Sequence, residues 1–248
     1  GSDALAQCPT PQVATAFIAP GAGYVLAMDG WRAVAGTVST NQAHALHFDG
    51  TNWIVDQTLI AAGMASGDQF GTAVAISGNR ILIGAWGDDT AASNAGSASV
   101  FEFDGSHWTE TAQLIASDAA ANEYFGTAVA ISGDVALVGA PGDHGMIGNT
   151  GSVYVFRRFG GAWLEVAKLW PSVGAVNGGF GTSVALKGDR AVVGQFAANS
   201  FAGAAYVFES IAGTWSFTAR LVAFDGVADD TFGKAVAIDG NHVLVGAT

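Results

Sequence analysis

Hydrophobic and polar positions alternate in short runs along most of this chain. In Phe125-Gly-Thr-Ala-Val-Ala-Ile-Ser132, small and larger side chains alternate with period two, the pattern of a strand with two unlike faces. Gly133-Asp134 then reads as a tight turn. Val135–Ala140 is a second, wholly apolar strand, and Val153-Tyr-Val-Phe156 is a third. After Gly160-Gly161 a fourth strand runs from Trp163 to Leu169.

This order repeats. Phe-Gly recurs at Phe70, Phe125, Phe180 and Phe232, in steps of 55, 55 and 52 residues. Trp53, Trp108, Trp163 and Trp215 keep the same steps, as do Leu59, Leu114, Leu169 and Leu221, and Gly84, Gly139, Gly194 and Gly246. A degenerate copy runs from Ala22-Gly23 to Gly36. The units are therefore 22–69, 70–124, 125–179 and 180–231, followed by a half unit, 232–248. Four antiparallel strands repeated at this interval predict an all-β fold, a β-propeller of four-stranded blades, because a lone blade cannot bury both its faces. Alanines such as Ala73, Ala75, Ala128 and Ala130 lie on the first strand, where small side chains suit a crowded hub.

Composition narrows the function classes. Hydrophobic residues make up 50% of the 248 and charged residues only 12%. Nine basic against 21 acidic groups give a net charge of −12, which argues against a nucleic-acid partner. Mean hydropathy is +0.36, yet Gly, Asp, Asn or Ser interrupts every apolar run before membrane-spanning length, so no membrane insertion is expected. Gly1-Ser2 reads as a cloning remnant and residues 1–10 as a tail, with 11–248 as one domain. Ala4-Leu5-Ala6 fits the small-x-small rule of a signal-peptidase site, and Cys8, the single cysteine, is expected as a free thiol.

The repeat resembles the FG-GAP repeat, the blade unit of integrin α-type propellers and of many bacterial surface and secreted proteins. Phe-Gly matches four times, and Gly-Ala-Pro stands intact at Gly139-Ala140-Pro141. It is varied at Gly36-Thr37-Val38, Gly84-Ala85-Trp86, Gly194-Gln195-Phe196 and Gly246-Ala247-Thr248. The resemblance implies an extracytoplasmic protein, secreted or at the cell surface. Family propellers usually close with seven blades. Here five are favoured, the fifth composite, with two strands from 232–248 and one from 11–19. The alternative is a fragment of a seven-bladed ring, whose exposed edge would favour a dimer. The family's calcium loops are not carried over. At the positions between strands one and two stand Ser77-Gly78-Asn79, Ser132-Gly133-Asp134, Lys187-Gly188-Asp189 and Asp239-Gly240-Asn241, hairpins too short to cage the ion.

Length variation concentrates in one loop. From the Gly of strand two to the residue opening strand three is 12 residues in units two and three, 9 in unit four and 5 in unit one. Together with the 4–1 loops, these 2–3 loops should crown one face of the disc, the place where a rigid scaffold presents binding residues. The expected ligand site lies on 85–95 and 140–150, with Trp86, Asp88, Asp89, Asn94, Asp143, His144 and Asn149, and with Phe196 at the matching place in unit four. An aromatic ring beside Asp and Asn can stack on a sugar or anchor a peptide. Acidic residues gather there too: Asp68, Asp118, Glu123, Asp225, Asp229 and Asp230. They read either as a divalent-cation site of low specificity, calcium included, or as a solvated acidic rim. No cofactor is implied, and no H-E-x-x-H, P-loop, G-x-S-x-G or Rossmann pattern occurs. The expected function is a binding or adhesion module for protein or carbohydrate. The alternatives are a structural module without its own ligand, or a hydrolase at the channel mouth.

Overall fold

The structure, a computed structural model, describes residues 24–144, 148–173 and 176–247. Four antiparallel four-stranded sheets follow one another, each joined in simple chain order. Blade 1 holds β1 (Tyr24–Asp29), β2 (Arg32–Thr37), β3 (Gln42–Phe48) and β4 (Trp53–Leu59). Blade 2 holds β5 (Phe70–Ser77), β6 (Arg80–Ala85), β7 (Ser97–Phe103) and β8 (Trp108–Leu114). Blade 3 holds β9 (Ala128–Ser132), β10 (Val135–Ala140), β11 (Ser152–Phe159) and β12 (Ala162–Leu169). Blade 4 holds β13 (Phe180–Lys187), β14 (Arg190–Gln195), β15 (Ala204–Ile211) and β16 (Thr214–Leu221). A two-stranded sheet, β17 (Ala235–Asp239) and β18 (His242–Gly246), completes the series.

Each blade buries its faces against its neighbours. One apolar layer joins Leu82, Val100 and Leu114 of blade 2 to Phe125, Ile131 and Val138 of blade 3. The next joins Leu137 and Val155 to Phe180 and Val193. Trp108, Trp163 and Trp215 pack in successive layers of this kind and Trp53 packs on the outer blade, so the tryptophan period is a packing period. The same β-bulge recurs in every blade, between strands three and four, with Asp56, Thr111, Val166 and Thr218 as the extra residue.

The Phe-Gly and Gly-Ala-Pro glycines meet across blades. A Cβ on Gly84 would lie 2.0 Å from the carbonyl oxygen of Gly126, and one on Gly139 would lie 2.0 Å from that of Gly181. The Phe-Gly glycine is also left-handed, with φ 92° at Gly126 and 89° at Gly181. Backbones therefore approach too closely for any side chain, and that is why both glycines recur at fixed spacing.

Innermost strands pack in sequence: β1 on β5, β5 on β9, β9 on β13 and β13 on β17. Among the described residues no comparable packing joins β17 to β1, so the blades form a propeller-like arc in which closure is not seen. β17 and β18 lie within 232–248, where two strands of a composite fifth blade were expected, and the segment 11–19 expected to join them lies outside the described residues.

Candidate functional site

The long 2–3 loops are tied at their base by repeated backbone bonds. Asp88 N–H donates to Ala85 and Gly96 N–H to Asp88; one blade on, Asp143 donates to Ala140 and Gly151 to Asp143. This turn aims both aspartates into the blade. Asp88 is 2% exposed and accepts from Ser97 Oγ at 2.5 Å, Gln113 Nε2 at 3.0 Å and Thr90 N–H at 2.8 Å. Asp143 is 3% exposed and lies 2.7 Å from the Tyr154 hydroxyl and 2.5 Å from Lys168 Nζ. Asp118 completes this cluster, 2.7 Å from both Tyr154 and Lys168. Burial disfavours the ammonium, but hydrogen bonds and charge from Asp118 and Asp143 outweigh it and hold Lys168 above the usual lysine range. Burial, reinforced by the same carboxylates, pushes the Tyr154 phenol far above its ordinary value. In blade 4 the counterpart of Asp143 is Ala198, and Gln195 Oε1 instead accepts from Tyr206 at 2.9 Å.

The acidic residues of the 4–1 loops divide the same way. Asp68 accepts from Ala65 N–H at 2.6 Å and Glu123 from Ala120 N–H at 2.8 Å, and both are buried. Burial raises the Glu123 carboxyl above its ordinary range. The carboxylates of Asp68, Asp88, Glu123 and Asp143 thus serve as internal acceptors that shape loops. Half-buried Asp230 repeats the loop bond of Asp68 and Glu123, accepting from Val227 N–H at 2.7 Å, whereas Asp118, Asp225 and Asp229 are exposed.

What faces outward is the rest of the expected set. Trp86 of blade 2 meets Tyr124 edge-on, centroids 5.6 Å apart. With Thr127 and Pro141 of blade 3 they line a shallow cavity of about 270 Å3, so the two loops do meet across the blade boundary. Asp89 accepts from Asn94 N–H at 2.6 Å, and Asn94 Nδ2 donates to Asn122 at 3.2 Å. His144 and Asn149 are exposed on the next loop. Phe196 stands apart from Trp86's cavity and packs near Phe201, centroids 6.2 Å apart.

Sequence reasoning missed another concavity of this face, roomier than the one beside Trp86. It holds about 540 Å3 between Val38–Gln42 and the 60–69 loop, lined by Thr40, Asn41, Gln42, Met64 and Gln69 among others. It opens where the 2–3 loop is shortest. In the later blades the Phe of Phe-Gly donates its N–H to a loop carbonyl, from Ala95, Thr150 or Ala202. Here the loop is too short, and the Asn41 side-chain oxygen accepts from Phe70 at 3.1 Å instead. The signal was the five-residue spacing itself, which marks space left unfilled.

Among the described residues no group of three His, Cys, Asp or Glu could hold a metal ion, and no helix is long and apolar enough to cross a membrane. No curated protein matches the chain. The FG-GAP repeat family matches residues 53–101, 108–156, 163–208 and 215–248. Each matched unit starts on strand four of one blade and runs into the next, so it carries the Phe-Gly and Gly-Ala-Pro contacts described above. Repeats of this family are binding and structural units, typical of integrin-like modules and usually extracellular. The chain belongs to the FG-GAP repeat family.

Proposed function

We propose that this protein is a non-enzymatic, extracytoplasmic binding module, secreted or held at a cell surface. It recognises protein or carbohydrate through the face bearing the 2–3 and 4–1 loops. The observation that carries this reading is the Trp86–Tyr124 pair, two half-buried rings from the 2–3 loop of blade 2 and from the connection into blade 3, beside a shallow cavity, with Asp89 and Asn94 farther along the loop of Trp86. An apolar notch between two rings set edge to face, flanked by an amide and a carboxylate, suits a sugar ring or a peptide anchor. Asp88 and Asp143 hold the loops in place, and the ligand meets Trp86, Asp89, Asn94, His144, Asn149 and Phe196. The test is a glycan and protein array probed with and without calcium. Wild type is expected to retain a ligand that Trp86→Ala combined with Phe196→Ala loses while keeping its circular dichroism spectrum. Equal retention by the folded double variant removes this site, and an empty array favours the structural-module reading.

A further inference from the structure

The opposite face carries tight hairpins, and blade 1 departs from the others there at three positions that converge. The first is the 1–2 turn. Its last residue is Asn79, Asp134, Asp189 or Asn241 in the later units, and Trp31 in blade 1. The turn's structural task belongs to the backbone: Phe48 N–H donates to Trp31 O at 2.9 Å, as Phe103 donates to Asn79. The indole is therefore free of that task, and it is 70% exposed. One face of it lies on Phe48, centroids 5.5 Å apart and planes 12° apart, which leaves the other as a platform.

The second departure frees an arginine. Arg80 pairs across the strands with Glu102, and Arg190 with Glu209, each closing an ion pair, at 3.2 Å and 2.7 Å. Arg32 occupies the same place, but its cross-strand partner is His47. Among the described residues no carboxylate pairs with Arg32, and its guanidinium instead lies 3.9 Å above the Phe103 ring of blade 2. The third departure is the bulge residue. Thr111 and Thr218 turn their hydroxyls back onto strand carbonyls, whereas Asp56 reaches His47 Nδ1 at 2.5 Å.

These side chains line one cavity of about 400 Å3 across the boundary of blades 1 and 2, with Trp31, Arg32, His47 and Asp56 joined by Ser106 of the next blade. An indole platform suits the C–H face of a pyranose ring. The imidazole, carboxylate and hydroxyl around it offer mixed donors and acceptors for vicinal hydroxyls. A guanidinium without an acid partner calls for a carboxylate. We propose that this hairpin-face cavity binds a carboxylate-bearing saccharide, its ring on Trp31 and its carboxylate on Arg32. The site is separate from the loop-face site and does not depend on it.

The experiment titrates the whole chain with trimers of galacturonate, glucuronate and mannuronate, and with their methyl esters, by calorimetry. At least one free acid is expected to bind, with its ester weaker by about tenfold or more, the loss of a charge-assisted hydrogen bond. Trp31→Asn restores the residue of blade 2 and of the β17–β18 turn, and His47→Glu restores the acid partner of Arg32. Both should stay folded and lose the binding. Trp86→Ala should keep it, which separates failure here from failure at the loop face. No binding by any free acid, equal binding of acid and ester, or binding that survives Trp31→Asn overturns the proposal.

Discussion

Single residues in this repeat change role without changing address. Position 88 in blade 2 and position 143 in blade 3 share the same turn, yet one aspartate is met by neutral Ser97 and Gln113 and the other by Tyr154 and Lys168. The second arrangement pairs a carboxylate whose side chain is 4% exposed with an ammonium 18% exposed. Lys168→Met leaves that carboxylate buried without its cation, and should cost about 3 kcal/mol of unfolding free energy in urea. Combining it with Asp143→Asn should recover most of the loss, since the uncompensated charge is then gone. The pH dependence has a definite sign. Lys168 is held above its unfolded value of 10.5, so its contribution is full below that pH and fades as pH rises through the folded value. Wild type should therefore lose melting temperature more steeply than Lys168→Met above about pH 10.5, where more than half of the unfolded lysine has released its proton. Parallel curves would show that the ion pair carries no net stabilisation.

At the scale of strands and loops, most of the fold was legible in the sequence, for a physical reason. Backbone-to-backbone contact between blades admits only glycine, so Gly84, Gly139 and Gly194 had to recur, and with them Phe125, Phe180 and Phe232. Loop membership was legible too, because spacing fixes it. Side-chain direction was not: Asp88 and Asp89 are neighbours in the chain, and only the turn geometry sends the first inward. The notch beside Asn41 and the surface role of Trp31 were not legible, because a shortened loop shows missing residues without showing the space they leave, and a tryptophan off the period has no counterpart from which to read its packing. The glycine contact itself is testable. Gly139→Ala puts a methyl 2.0 Å from the Gly181 carbonyl and should destabilise by about 3 kcal/mol or more, beyond ordinary overpacking. Gly246→Ala meets nothing nearer than 3.5 Å and should stay within about 0.5 kcal/mol of wild type. Equal melting temperatures for the two variants would mean that blades separate enough to admit a side chain.

For the molecule as a whole, stability should follow position along the arc, because each blade is held mainly by its neighbours. Blades 2 and 3 bury both faces. Among the described residues no blade covers the two end faces: Leu26 and Met28 of blade 1 are exposed, and Leu244 of β18 is 74% exposed. Among the described residues the pair β17–β18 packs on blade 4 alone, and it has a single two-stranded ladder, the weakest way to hold a sheet. Backbone amides there should open locally far more often than those at the centre of the series. In native-state hydrogen exchange, Val236 and Val243 should exchange about a hundredfold or more faster than Val129 and Val138, a gap of some 3 kcal/mol in opening free energy. Val34 of blade 1 should fall between them, since its four-stranded ladder is complete but only one face has a neighbouring blade. Protection in β17–β18 equal to that in β9–β10 would mean the arc's ends are joined, and the half blade would then be the seam of a closed ring.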